Sequence, residues 1–371
     1  MHFGILLLFA NAHSGKTDAQ LWKEEMDLGV RAEELGFDSV WAPEHHFDRP
    51  YCESPDPLSA LTYLAAKTSR IKLGTGAIIL PWWQGHNDAM RLAERISIVD
   101  HLSNGRLLLG LGRGLARMEY EGFGVDMEES RDRFTETANM LLDGLDNGFI
   151  DHDGKYFNQP KRDIFPEPAK NFRDRTYTIA MSPPSIAASA EFGGTLMCFN
   201  YQYPIEQQAE QFNEWRALYE ATHGVPAPPP VLLDFSYCHE DAAVADTVMR
   251  DHLGPFFNAM VDHYEFDGKH FASSDMYNHY AGGAEAIQAA GREAAFEGFY
   301  GLQWTGTPEK MIEQMRRRIE LIGEFSQMIL VSFGGMSVEA VDNSLKLFMD
   351  KVAPEVQKMA AAAGAKVTIS A

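Results

Sequence analysis

Positive charge is scarce in this chain. Lysine and arginine number 32 against 53 aspartates and glutamates, a formal net charge of -21 at pH 7. Nucleic acid and anionic membrane surfaces are read by clustered Lys and Arg, so neither is expected as a partner. Cysteine is scarcer still. Cys52, Cys198 and Cys238 are too few and too scattered for a disulfide framework or a zinc knuckle, and they read as free thiols in a reducing compartment. Long apolar runs are missing as well. The opening run Phe3–Ala10 has no basic flank before it and is too short to span a bilayer, so a soluble, cytoplasmic protein is expected. The chain also lacks a G-x-G-x-x-G dinucleotide fingerprint and an H-E-x-x-H helix. His45 and His46 would point to opposite faces of an extended strand, so no metal site is expected there.

What the chain has in quantity is apolar residue, 45% of 371, enough for a large core. Its pattern alternates short buried runs with amphipathic stretches. Phe3–Phe9, the run into Glu44, Ile71–Leu80, Arg106–Gly112, Thr176–Ala180, Leu196–Phe199, Val231–Cys238 and Gln327–Phe333 read as strands buried on both faces. Helices are expected between them, among them Asp18–Leu35 stopped by Gly36 and Pro57–Thr68 capped by Asp56. Val338–Met359 is expected as one closing helix. Eight such alternations point to an α/β fold of the closed (β/α)8 TIM-barrel kind, one domain over residues 1–371. Two insertions interrupt it: a hairpin near 148–157 turning at Asp153-Gly154, and an irregular, mobile, lid-like segment near 266–305.

The chemistry-bearing stretches fall where strands end. Gly36–Phe47, GFDSVWAPEHHF, puts Glu44, His45 and His46 at the carboxyl end of a strand, the catalytic face of such barrels. Burying a carboxylate and two imidazoles there is costly unless they are paired or put to use, so a hydrogen-bonded histidine pair is the alternative. Ala10–Thr17, ANAHSGKT, resembles a phosphate loop, but Ala10 replaces its leading glycine and no magnesium-binding Asp follows a suitable strand. Gly105–Gly114, GRLLLGLGRG, lets backbone approach a ligand and offers Arg113 to a phosphate. Met181–Ser185, MSPPS, opens a helix whose free N–H groups form an anion site, with Ser182 and Ser185 as caps. Gly74–Ala77 is a glycine-loosened strand end able to admit a flat ring or a neighbouring strand.

Taken together, GFDSVWAPEHHF, KLGTGAIILP, GRLLLGLGRGL and FGVDMEESRDRF, in that order and spacing, resemble the bacterial luciferase family of flavin-dependent monooxygenases. The similarity reaches Gly306-Thr307-Pro308 and the closing LKLFMDKVAP, and is weakest across 266–305. The resemblance implies that reduced FMN (FMNH2) reacts with O2 at the barrel mouth to give a C4a-peroxyflavin. It assigns His45 as the catalytic residue and Arg113 as the grip on the FMN phosphate. Ser182 and Ser185 match phosphate-contacting positions, and Gly76-Ala77 matches a non-proline cis peptide beneath the isoalloxazine ring. Gly112 and Met181 fall among the cofactor-binding positions as departures. Gly112 stands where the light-emitting α subunit has a reactive cysteine, and Met181 replaces an acidic residue. Ala116 replaces a tyrosine, so bioluminescence and a particular aldehyde substrate do not follow.

The expected protein is an FMNH2-dependent monooxygenase acting by hydroxylation or Baeyer–Villiger insertion on a small apolar organic substrate. A separate flavin reductase and a homodimer are the expected partners. A dehydrogenase using the deazaflavin F420 and a non-catalytic flavin-binding protein are the alternatives. Glu119 receives no role at this stage.

Overall fold

The structure, a computed structural model, describes residues 1–12, 15–83, 88–274 and 276–364. His13 and Ser14 of the phosphate-loop look-alike and the end of the closing tail lie outside the described residues. Eight short parallel strands form the centre: Phe3–Leu6, Ser39–Ala42, Lys72–Thr75, Leu107–Gly112, Thr176–Ile179, Thr195–Phe199, Val231–Phe235 and Ser326–Leu330. Each pairs with the next, and the eighth returns to the first, Phe3 opposite Gln327 and Ile5 opposite Ile329. The sheet is therefore a closed (β/α)8 barrel, as expected. Helices cover its outer face, so most strand positions are buried, which is why the strands read as unbroken apolar runs.

Closure depends on two close approaches. A Cβ on Gly74 would stand 2.1 Å from the Trp41 ring, and one on Gly110 would stand 1.9 Å from the Thr75 carbonyl oxygen. In the space Gly110 leaves, Thr75 Oγ1 donates to the Gly110 carbonyl and accepts the Gly110 N–H, both at 2.8 Å. Two buried arginines tie strands to their surroundings. Arg318 grips Asp234 at 2.6 Å and Arg175 grips Asp100 at 2.7 Å. The first helix, Asp18–Leu35, opens with a reciprocal Thr17–Gln20 capping box and stops at Gly36 in the left-handed conformation (φ 96°).

Several expectations need correction. The first strand ends at Leu6 and the seventh at Phe235, both shorter than their apolar runs. The run 71–80 breaks after Thr75 and resumes as Ile78–Ile79, and the Gly76–Ala77 peptide between them is cis. The hairpin pairs Phe149–Asp153 with Asn158–Asp163, so it extends past residue 157. Segment 266–305 is not irregular: it holds helices Ala281–Ala290 and Arg292–Leu302. The closing helix comes in two α-helical pieces, Val338–Leu347 and Ala353–Ala362, joined by a π turn over Phe348–Val352. A short helix at Arg117–Phe123 had no counterpart in the sequence reading.

Candidate active site

The carboxyl ends of the strands surround a cavity of about 1240 Å³, counting its open mouth. His45 enters it just past the second strand, its backbone N–H held by the Ser54 carbonyl at 2.8 Å. Its Nδ1 lies 3.3 Å from Glu119 Oε1, and its Nε2 lies 3.5 Å from the Tyr264 hydroxyl. Glu119 comes from the short helix after Arg113 and is almost wholly buried. The same oxygen accepts the His46 backbone N–H at 2.7 Å and lies 3.6 Å from His263 Nε2. Burial pushes the Glu119 carboxyl up, but His45, His263 and the His46 amide outweigh it and hold the group below the usual range. His263 is lowered by burial, against the pull of Asp48 at 3.1 Å from its Nδ1.

His46 faces away from the cavity. Its Nε2 lies 3.2 Å from Glu44, and its ring meets Trp82 and Phe123 edge-on. Glu44 also accepts the Trp82 indole N–H at 2.9 Å and the Ile79 N–H at 3.1 Å. Burial raises its carboxyl nonetheless, because these donors do not fully replace water. Glu44 thus braces the segment that follows the Gly76–Ala77 peptide.

Across the cavity, Arg113 reaches Ser130 Oγ and Ser185 Oγ at 3.4 Å each and lies over the Tyr277 ring at 4.2 Å. Among the described residues it has no carboxylate within ion-pair distance. Helix Pro183–Phe192 begins beside it. Arg131 is close by; burial and then repulsion from Arg113 lower its guanidinium. The Ser182 side chain does not cap the helix and is absent from the cavity wall. Its hydroxyl donates to Ser185 Oγ at 2.9 Å instead. Gly76, Ala77, Gly112, Arg113, Met181 and Ser185 all line the cavity with His45. A Cβ on Gly112 would meet Ile79 Cδ1 at 2.6 Å, so the wall leaves no room there for a side chain without movement.

Sequence reasoning missed Glu119, His263, Tyr264, Tyr277 and Arg131. Glu119 carried one signal, an acid a few residues beyond the end of a barrel strand. His45, Glu119 and His263 place their ligand atoms within 4.8 Å of one another, a set with metal-ligand chemistry that the reading of His45 with His46 did not anticipate. The three cysteines are free and buried. Among the described residues, no helix is long and apolar enough to cross a membrane.

Comparison with known proteins adds a lineage to this geometry. The chain is 28% identical over 365 residues to the alkanal monooxygenase alpha chain of Photobacterium leiognathi, covering 95% of this chain and 98% of that one. It is 26% identical over 265 residues to the oxygenase component of a flavin-dependent trigonelline monooxygenase from Acinetobacter baylyi, covering 69% and 72%. Its fold is similar to the oxygenating constituent of 3,6-diketocamphane monooxygenase from Pseudomonas putida, a type II Baeyer–Villiger enzyme solved with FMN. That likeness has a TM-score of 0.73 at 17% identity and covers 96% of this chain and 98% of the other. The family model for luciferase-like monooxygenases matches residues 1–324, a span that takes in every residue of the cavity just described except Leu330, and the chain belongs to that family.

Proposed function

We propose that this protein is an FMNH2-dependent monooxygenase that oxidises a small apolar organic substrate by hydroxylation or Baeyer–Villiger insertion. The observation that carries the reading is Arg113. Its guanidinium has no carboxylate partner among the described residues, yet it faces two serine hydroxyls and a helix N-terminus in the cavity that holds His45. A guanidinium whose acceptors are two neutral hydroxyls at 3.4 Å suits an anionic group, and a flavin phosphate fits it. The flat wall of Gly76, Ala77 and Gly112 would face the ring system. When bound, reduced FMN supplies the activation of O2.

The protein's own groups do the rest. Glu119, ionised, accepts a hydrogen bond from His45 Nδ1–H and so favours the tautomer that leaves Nε2 unprotonated in the cavity. Nε2 can then take a proton from the substrate or return one, with the Tyr264 hydroxyl beside it. Rings on the cavity wall, among them Tyr51, Phe235, Phe256 and Phe299, exclude water from the reacting atoms. A separate reductase as the source of FMNH2 is supported by the trigonelline relative, which is an oxygenase component.

The test is anaerobic titration with FMNH2, then oxygen uptake with candidate substrates. Arg113→Ala should weaken FMNH2 binding ten- to a hundredfold, given about 1.5–3 kcal/mol for a charge-assisted bond. Unchanged affinity in a folded variant removes Arg113 from the site. Turnover with reduced F420 and no oxygen uptake would replace the monooxygenase reading with a dehydrogenase.

A further inference from the structure

Among the side chains that line the cavity are seven aromatic rings in contact with one another. They close on themselves: Tyr51 meets Phe256 (5.5 Å between ring centroids), then Phe235 (5.2 Å), Phe299 (5.6 Å), Tyr201 (6.0 Å), Phe266 (5.0 Å), Tyr264 (5.1 Å) and Tyr51 again (5.3 Å). All seven line the cavity. The circuit is assembled from distant parts of the chain: a loop after the second strand, the ends of the sixth and seventh strands, the helix that follows, and both ends of segment 266–305. His45 touches it edge-on at Tyr51 and Tyr264, 4.9 and 6.1 Å between centroids.

None of the seven side chains carries a formal charge. The charged or ionisable side chains on the described cavity wall, tyrosine and cysteine aside, are Glu44, His45, Glu119 and Arg113. Each follows the second or the fourth strand, and of the four it is His45 whose ring borders the circuit. The tyrosine hydroxyls of the circuit are spoken for where Tyr51 meets Tyr264 at 3.1 Å. A ligand within the circuit meets ring faces and ring edges, with the His45 imidazole at the border and no lysine or arginine among the seven.

From this circuit we infer that the substrate is a neutral, planar aromatic compound, held among the rings with its reacting carbon towards His45. Aromatic rings attract one another through offset and edge-on geometry beyond what buried area alone supplies, and a saturated chain or puckered ring forfeits that gain. An anionic ligand would lose its hydration with no lysine or arginine in the circuit to replace it. The inference rests on the reading of this cavity as the oxygenation site, and names the class of molecule that site accepts.

The experiment is calorimetric titration of the protein, with and without FMN, using naphthol, its saturated counterpart decahydronaphthol, naphthoate and decanal. Naphthol should bind at least about tenfold more tightly than each of the other three, the effect of two or so ring contacts. In the paired variant Phe235→Leu with Phe299→Leu, that preference over decahydronaphthol should shrink towards unity while FMN affinity holds. Equal or tighter binding of decahydronaphthol, decanal or naphthoate by the parent protein overturns the inference, whatever the variant does. FMN affinity is read separately. If FMN fails to bind while naphthol keeps its preference, the flavin reading falls and the aromatic site stands.

Discussion

Glu119 shares one oxygen among three neighbours: His45 Nδ1 at 3.3 Å, the His46 amide at 2.7 Å and His263 Nε2 at 3.6 Å. If His45 is the working acid/base, Glu119 acts through it as a positioning residue. His45→Ala should then lower turnover about a hundredfold or more, and Glu119→Gln by a smaller factor. The double variant should be little worse than His45→Ala alone, because residues acting as a unit are not additive. The rates should survive dialysis against EDTA, which separates proton handling from a bound cation at the same three side chains. The carboxyl also leaves a mark on stability. Its folded pKa lies below the unfolded value of about 4.3, so its contribution is present above that pH and is lost as pH falls through the folded value. Urea unfolding from about pH 5 downwards should show a steeper loss in the parent than in Glu119→Gln, and parallel curves would contradict this. Gly110 makes a different demand. Its missing Cβ would fall 1.9 Å from backbone, which cannot swing aside. Gly110→Ala should cost about 3 kcal/mol, read as a fall in the urea midpoint.

Among the elements, segment 266–305 gives Phe266, Tyr277, Tyr280 and Phe299 to the cavity wall. It reaches back over the arginine loop: the Tyr277 ring lies under Arg113, its hydroxyl is 3.1 Å from the Gly114 carbonyl, and Ser274 donates to Glu128. We propose that it closes over the bound flavin, so that protease cleavage within it slows when FMN is added; equal cleavage rates would count against a lid. Its helices were not legible in sequence: Ala281–Ala290 (AGGAEAIQAA) opens on a glycine pair that reads as a loop, and neither it nor Arg292–Leu302 starts with a side-chain cap. The barrel was legible, since buried parallel strands such as Leu107–Gly112 are apolar at nearly every position. Arg113 and Ser185 could be singled out because glycine and proline mark loops after strands. The partners of His45 could not, because Glu119 and Tyr264 stand 74 and 219 residues away and only the fold brings them near.

For the whole molecule, the charge of -21 is a standing self-repulsion. Salt screens it over about 10 Å at 0.1 M. The melting temperature should therefore rise as sodium chloride goes from about 0.01 to 0.2 M, and a fall would mean that surface ion pairs outweigh the repulsion. The stacking of Tyr277 on Arg113 has a consequence of another kind. If Arg113 holds the flavin phosphate and the segment bearing Tyr277 closes over it, as proposed, occupancy of the one and closure of the other are linked equilibria. Whatever factor closure adds to flavin affinity, flavin must add to closure. On that reading, loss of the Tyr277 ring should reduce this shared factor, whether it is read as flavin affinity or as closure.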